Sequence, residues 1–81
     1  MDMFNTQDIE QGALDRIAAK VGEMEREYHA NKDAGFDKDA KTIKDQLDGI
    51  CWVLHQLGYG LYHEKIGAEP QVKSDVWLMH H

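Results

Sequence analysis

Apolar positions in the first half of the chain recur with the spacing of a helix seam. Leu14, Ile17, Val21, Met24 and Tyr28 are separated by steps of 3, 4, 3 and 4. That is the period of an amphipathic helix presenting one stripe to a partner. The spacing predicts a helix over about 6–31, with Asn5 or Thr6 as its cap and Asp8 and Glu10 in its first turn. Asn31 to Gly35 closes it, because Asn and Gly tolerate the left-handed conformation of a helix end. Asp37 is the expected cap of a second helix over about 38–65. Its seam is Ile43, Leu47, Ile50, Leu54, Leu57 and Leu61, in steps of 4, 3, 4, 3 and 4. Gly67 and Pro70 stop this helix, while Gly58 and Gly60 are earlier candidate break points. A connection of about six residues folds the two helices back antiparallel.

The opposite side of the second helix is aromatic. Projected at about 100° per residue, Trp52, His55, Tyr59, Tyr62, His63 and Ile66 fall away from the leucine seam. A helix apolar on one side and aromatic on the other needs two partners, and the hairpin supplies one. The second is the tail, another subunit or a ligand. The tail, residues 70–81, carries Val76, Trp77, Leu78 and Met79, too apolar a run to stand free. It is expected to dock as a short helix or an extended arm, with Ser74 or Asp75 capping a final turn. The fold class is therefore all-α: a single domain over 1–81, an antiparallel helical hairpin that assembles into a homo-oligomeric bundle.

Size supports assembly. Eighty-one residues bury only roughly 60% of the surface the unfolded chain exposes. Small domains usually add disulfides, a metal or self-association. The single cysteine, Cys51, excludes a disulfide within the chain and structural zinc of the Cys₄ or Cys₂His₂ type. It is expected to be a small buried hydrophobe. Nine Lys and Arg against fifteen Asp and Glu, a net charge of -6, speak against DNA or RNA as a partner. No run reaches the roughly 18 apolar residues of a membrane span. No basic stretch leads into an apolar one near the start, and a lone thiol fits a reducing compartment, so the expected location is the cytoplasm.

Two acidic patterns carry a resemblance. Val21-Gly22-Glu23-Met24-Glu25-Arg26-Glu27 resembles the first helix of MazG-type all-α nucleoside triphosphate pyrophosphatases, where a glutamate pair is followed, after two residues, by another glutamate. The stretch from Asp45 through Asp48 into Gly49-Ile50-Cys51-Trp52-Val53-Leu54 resembles that family's second motif, and Leu57-Gly58 resembles its usual ending. The similarity runs from Ile17 to Leu61. It implies carboxylates on two neighbouring helices holding Mg²⁺, a hard cation that takes oxygen ligands and bridges to phosphate. In this chain Glu23, Asp45 and Asp48 match three of the four acidic positions that the resemblance implies as metal ligands, and Glu27 would join them in a rearranged cage. The family's glutamate pair falls on Ala19 and Lys20, and Asp45 stands where glutamate is usual. A cation at Lys20, with Arg16 one turn earlier, can face a phosphate directly.

Three functions follow as expectations. The first is a MazG-like protein that binds or sequesters a nucleotide, or a nucleotide-derived signal, at a helix-bundle interface without turning it over. Arg16 and Lys20 would face phosphate, and Trp52, His55, Tyr59 and Tyr62 the base or ribose. In size and build it resembles small proteins of bacterial viruses that sequester nucleotide immune signals, a counter-defence role. No cofactor is needed in that case. The second is a Mg²⁺-dependent nucleotide pyrophosphatase with a rearranged cage. The third is an acidic helical adaptor or inhibitor that binds a host protein through its aromatic stripe. Beside them stands a plainer reading, in which Arg16, Lys20, Glu23 and Glu27 form surface ion pairs. His29, His55 and His63 are read as hydrogen-bonding or interface groups rather than metal ligands.

Overall fold

The computed structural model describes residues 10–80. Two long helices, α1 (Gln11–Asp33) and α2 (Asp37–Gln56), form the expected antiparallel hairpin. Two strands follow, β1 (Tyr59–His63) and β2 (Pro70–Ser74), then a short helix α3 (Asp75–Met79). The seam is borne out where the helices meet: Leu14, Val21, Met24 and Leu54 are buried, as is Ala40 on α2. The expected cap at Asn5 or Thr6 lies outside the described residues. Within them α1 opens at Gln11 after Glu10 and runs two residues past Asn31.

The turn between the helices is three residues, shorter than the six expected. Gly35 sits at φ +83. The Gly35 amide donates to the Lys32 carbonyl at 3.1 Å and the Phe36 amide to the Asn31 carbonyl at 2.8 Å. These two bonds satisfy carbonyls that a helix end otherwise leaves open. The cap of α2 is Phe36, not Asp37. Asp37 is the first helical residue, where its charge still favours the positive end of the helix.

The all-α expectation is corrected after Gln56. Gly58, at φ +85, closes α2 nine residues before the expected end at 65, and its amide donates to the His55 carbonyl at 3.1 Å. Tyr59 to His63 then pairs antiparallel with Pro70 to Ser74, in a register that sets Tyr59 opposite Ser74 and Leu61 opposite Val72. Alternation along the strands decides what each face meets. Tyr59, Leu61 and Val72 pack on Leu14 and Leu54 in the main core. Gly60 and Tyr62 face the other way, toward α3. A Cβ on Gly60 would stand 2.8 Å from Leu78 Cδ1, and the Tyr62 ring meets the Trp77 ring edge-on at 4.9 Å. The small sheet therefore lies between the helical hairpin and α3.

The tail docks on its own hairpin, as both an extended arm and a short helix. Gly22 on α1 permits the approach of β2: a Cβ there would stand 3.2 Å from Pro70 Cδ. Two side-chain contacts fasten the same region, an ion pair of Arg26 with Glu69 and a hydrogen bond between His63 Nε2 and Glu25 Oε2 at 3.0 Å. Ser74 caps α3, its Oγ accepting from the Trp77 amide at 3.1 Å. Ser74→Ala is expected to lower stability by about 1 kcal/mol. The loss should appear in urea unfolding as a lower midpoint at unchanged slope.

Candidate functional site

The sheet and α3 close one side of the hairpin. Among the described residues the other side is open. Between α1 and α2 runs a groove of about 760 Å³. Its apolar lining comes from both seams, Ile17 and Met24 on α1 and Ile43, Ile50 and Leu57 on α2, with Val53 beside the second seam. These side chains carry the helical period, but no sheet packs over them on this face. Val53 is 50% exposed although it belongs to the lining. Gly49 leaves one wall shallow, with nothing within 4 Å of where a Cβ would stand. The polar members are Lys20, Glu27 and Gln46. An apolar cleft with a few polar groups is the usual form of a small-molecule site.

Of the expected phosphate-facing pair, Lys20 lines the groove and Arg16 lies one turn earlier, exposed. Lys20 Nζ is 3.4 Å from Glu23 Oε1, an exposed contact one helical turn long. The aromatic set does not stay together. Trp52 and His55 are exposed on α2. Tyr59 and Tyr62, expected on the same helix side, lie instead on β1, because Gly58 has already turned the chain. Tyr59 is 6% exposed within the core. Tyr62 is held against Trp77. His63 is likewise on β1 and paired with Glu25, and Ile66 lies in the connection between the strands, fully exposed. His29 meets the Tyr28 ring edge-on at 5.4 Å.

The four implied metal ligands are distributed rather than gathered. Glu23 contacts Lys20, and Asp45 Oδ2 is 3.1 Å from Lys41 Nζ. Glu27 lines the groove. Asp48 acts on a different neighbour, Cys51. Partial burial first, then the nearby carboxylates of Asp48 and Glu25, push the Cys51 thiol above its ordinary range. Among the described residues, no three His, Cys, Asp or Glu side chains are placed to share one metal ion. Cys51 itself corrects an expectation: it is exposed, not buried. Among the described residues no helix is long and apolar enough to cross a membrane.

Gln46, Gly49 and Val53 lie within the second acidic stretch but were not among the expected site residues. Their signal is positional: Gln46 and Val53 are seven apart, and Gly49 falls between them on the same flank of α2. No protein-family model matches the chain, and no curated protein and no solved structure is significantly similar to it. The likeness to MazG-type proteins rests on the two acidic patterns alone.

Proposed function

We propose that the protein binds a nucleotide, or a nucleotide-derived molecule, in the groove between α1 and α2 and holds it without hydrolysis. The observation that carries this reading is Lys20 at the edge of an apolar cleft, with Gln46 as a second polar group in the lining. A base lies against Ile50, Val53 and Leu57. The Gln46 amide offers both a donor and an acceptor to its edge. Lys20 meets phosphate, giving up an exposed contact with Glu23 that contributes at most about 1 kcal/mol. Holding rather than cutting is supported by the cation at Lys20 and by the lysine partners of Glu23 and Asp45. Trp52 and His55 do not line this groove, so the expected aromatic contacts are replaced by aliphatic ones.

Calorimetric titration with nucleoside triphosphates, cyclic dinucleotides and ADP-ribose derivatives tests the reading. Saturable heat is expected from one of these classes. Lys20→Ala should weaken it roughly 10- to 100-fold, the range for losing one charge-assisted hydrogen bond. Absence of heat from every ligand, or equal affinity in Lys20→Ala, overturns it. Phosphate or pyrophosphate release that requires Mg²⁺ would replace it with the hydrolase reading.

A further inference from the structure

We propose that the groove is closed by a second copy of this chain, packed about a two-fold axis with the two α1 helices antiparallel. The occupant is indicated by charge order. Arg16, Lys20, Glu23 and Glu27 fall at steps of 4, 3 and 4, so they run down one flank of α1. Lys20 and Glu27 line the groove and all four residues are exposed. The strip is positive toward the start of α1 and negative toward its end. Turned through 180° about an axis level with Val21 and Gly22, it meets its own complement. Arg16 then lies opposite Glu27 of the second copy, and Lys20 opposite Glu23 of the second copy. A parallel arrangement would set like charge against like.

An isologous contact needs one patch to be complementary to itself. This strip meets the condition. It is also locally neutral, two cations and two acids, in a chain whose net charge is -6. General repulsion between two acidic chains is therefore reduced along this line. The apolar lining supplies the driving force: Val53, half exposed in one chain, and the half-buried seam residues Ile17, Ile43 and Ile50 lose their remaining water when a second hairpin lies across them. The product is a four-helix arrangement with the two sheets on its outer sides. A chain of this size has reason to assemble in this way, since it buries little surface alone. The inference concerns the protein without ligand and goes beyond the nucleotide reading: a second copy and a nucleotide compete for the same lining and for Lys20, and either reading can fail while the other stands.

Light scattering on the size-separated full chain tests it, with circular dichroism to confirm that each variant folds. The wild-type protein is expected at twice the chain mass of 9.3 kDa. Arg16→Glu and Glu27→Arg each place two like-charge pairs across the two-fold. Each should raise the dissociation constant roughly tenfold or more, toward monomer. Mixed in equal amounts, the two variants should recover the dimer mass, because both cross-pairs are then opposite in sign. The double variant Arg16→Glu with Glu27→Arg, a reversed strip, should also dimerise. A monomeric wild-type chain at the highest attainable concentration overturns the inference. So does a mixture that stays monomeric, or a set of variants that all dimerise equally. A monomer that still binds a nucleotide would remove this inference and leave the ligand reading intact.

Discussion

Leu54→Ala is expected to lower the unfolding free energy by about 3 kcal/mol, within the 2–5 kcal/mol range for truncating a buried leucine. Leu54 is 2% exposed and packs with Leu14 of α1, Tyr59 of β1 and Val72 of β2. Four elements meet at this side chain. The cavity left by its lost carbons collapses only in part, because its walls belong to separate segments held by their own hydrogen bonds. At about 0.05–0.15 kcal/mol per residue, this loss is a large part of the whole stability. Denaturant unfolding should show a lower midpoint at unchanged slope. Comparisons should be made at one protein concentration, since self-association would add to the apparent stability. Leu47→Ala is the control. Leu47 is half-buried, two helical turns before Leu54 and outside the core cluster, and its loss should cost only about 1 kcal/mol. Equal losses at the two positions would mean that the core is spread evenly along the hairpin instead of concentrated where the sheet joins it.

That concentration explains what the sequence could and could not disclose. Two seams at alternating steps of 3 and 4 disclose two helices, and a short connection makes them antiparallel. The seam does not disclose its own end. Leu57 and Leu61 keep the four-residue step through Gly58, so the helical period continues on paper. Yet Tyr59 and Leu61 are two apart, and the same leucine satisfies the alternation of a strand. Short apolar runs satisfy both templates. The strand pair is settled by residues far along the chain: Val72 opposite Leu61, and Trp77 and Leu78 covering the face that carries Tyr62 and Gly60. Ser74 as a cap was legible because its effect is local, within three residues.

The candidate site divides along the same line. The Arg16, Lys20, Glu23, Glu27 strip was legible, since all four residues lie on one helix and spacing alone aligns them. The aromatic set was not, because its alignment assumed a helix that Gly58 interrupts. Tyr59 leaves the expected site to become core, and Tyr62 becomes a partner of Trp77. The open groove was hidden for a different reason. It is formed by seam residues that sequence reading assigns to the hairpin interface. Only the placement of the sheet on the opposite side shows that, among the described residues, part of that interface lies uncovered.

Gly58→Val should cost about 2 kcal/mol and act mainly on the strands. At φ +85, with nothing within 4 Å of a built Cβ, the penalty is conformational rather than steric crowding by neighbours. A left-handed residue other than glycine costs about 1–2 kcal/mol, and a branched Cβ is least suited to it. Valine at this position also removes the stop signal. The Leu57 and Leu61 seam can then extend α2 through Tyr59, which would break the bond between the Asp75 amide and the Gly58 carbonyl, 2.9 Å in the native fold, and draw β1 away from β2. Gly35→Val separates the two effects. Gly35 has φ +83 and equally open surroundings, but it joins two helices and borders no strand. Both variants should lose stability by similar backbone strain. Only Gly58→Val should speed amide exchange in residues 59–63 and 70–74 beyond the change in global stability, since local opening and global unfolding are separable by exchange. If the two variants slow or speed those amides alike, the glycine at 58 is a turn residue only, and the end of α2 is decided by the pairing of the strands.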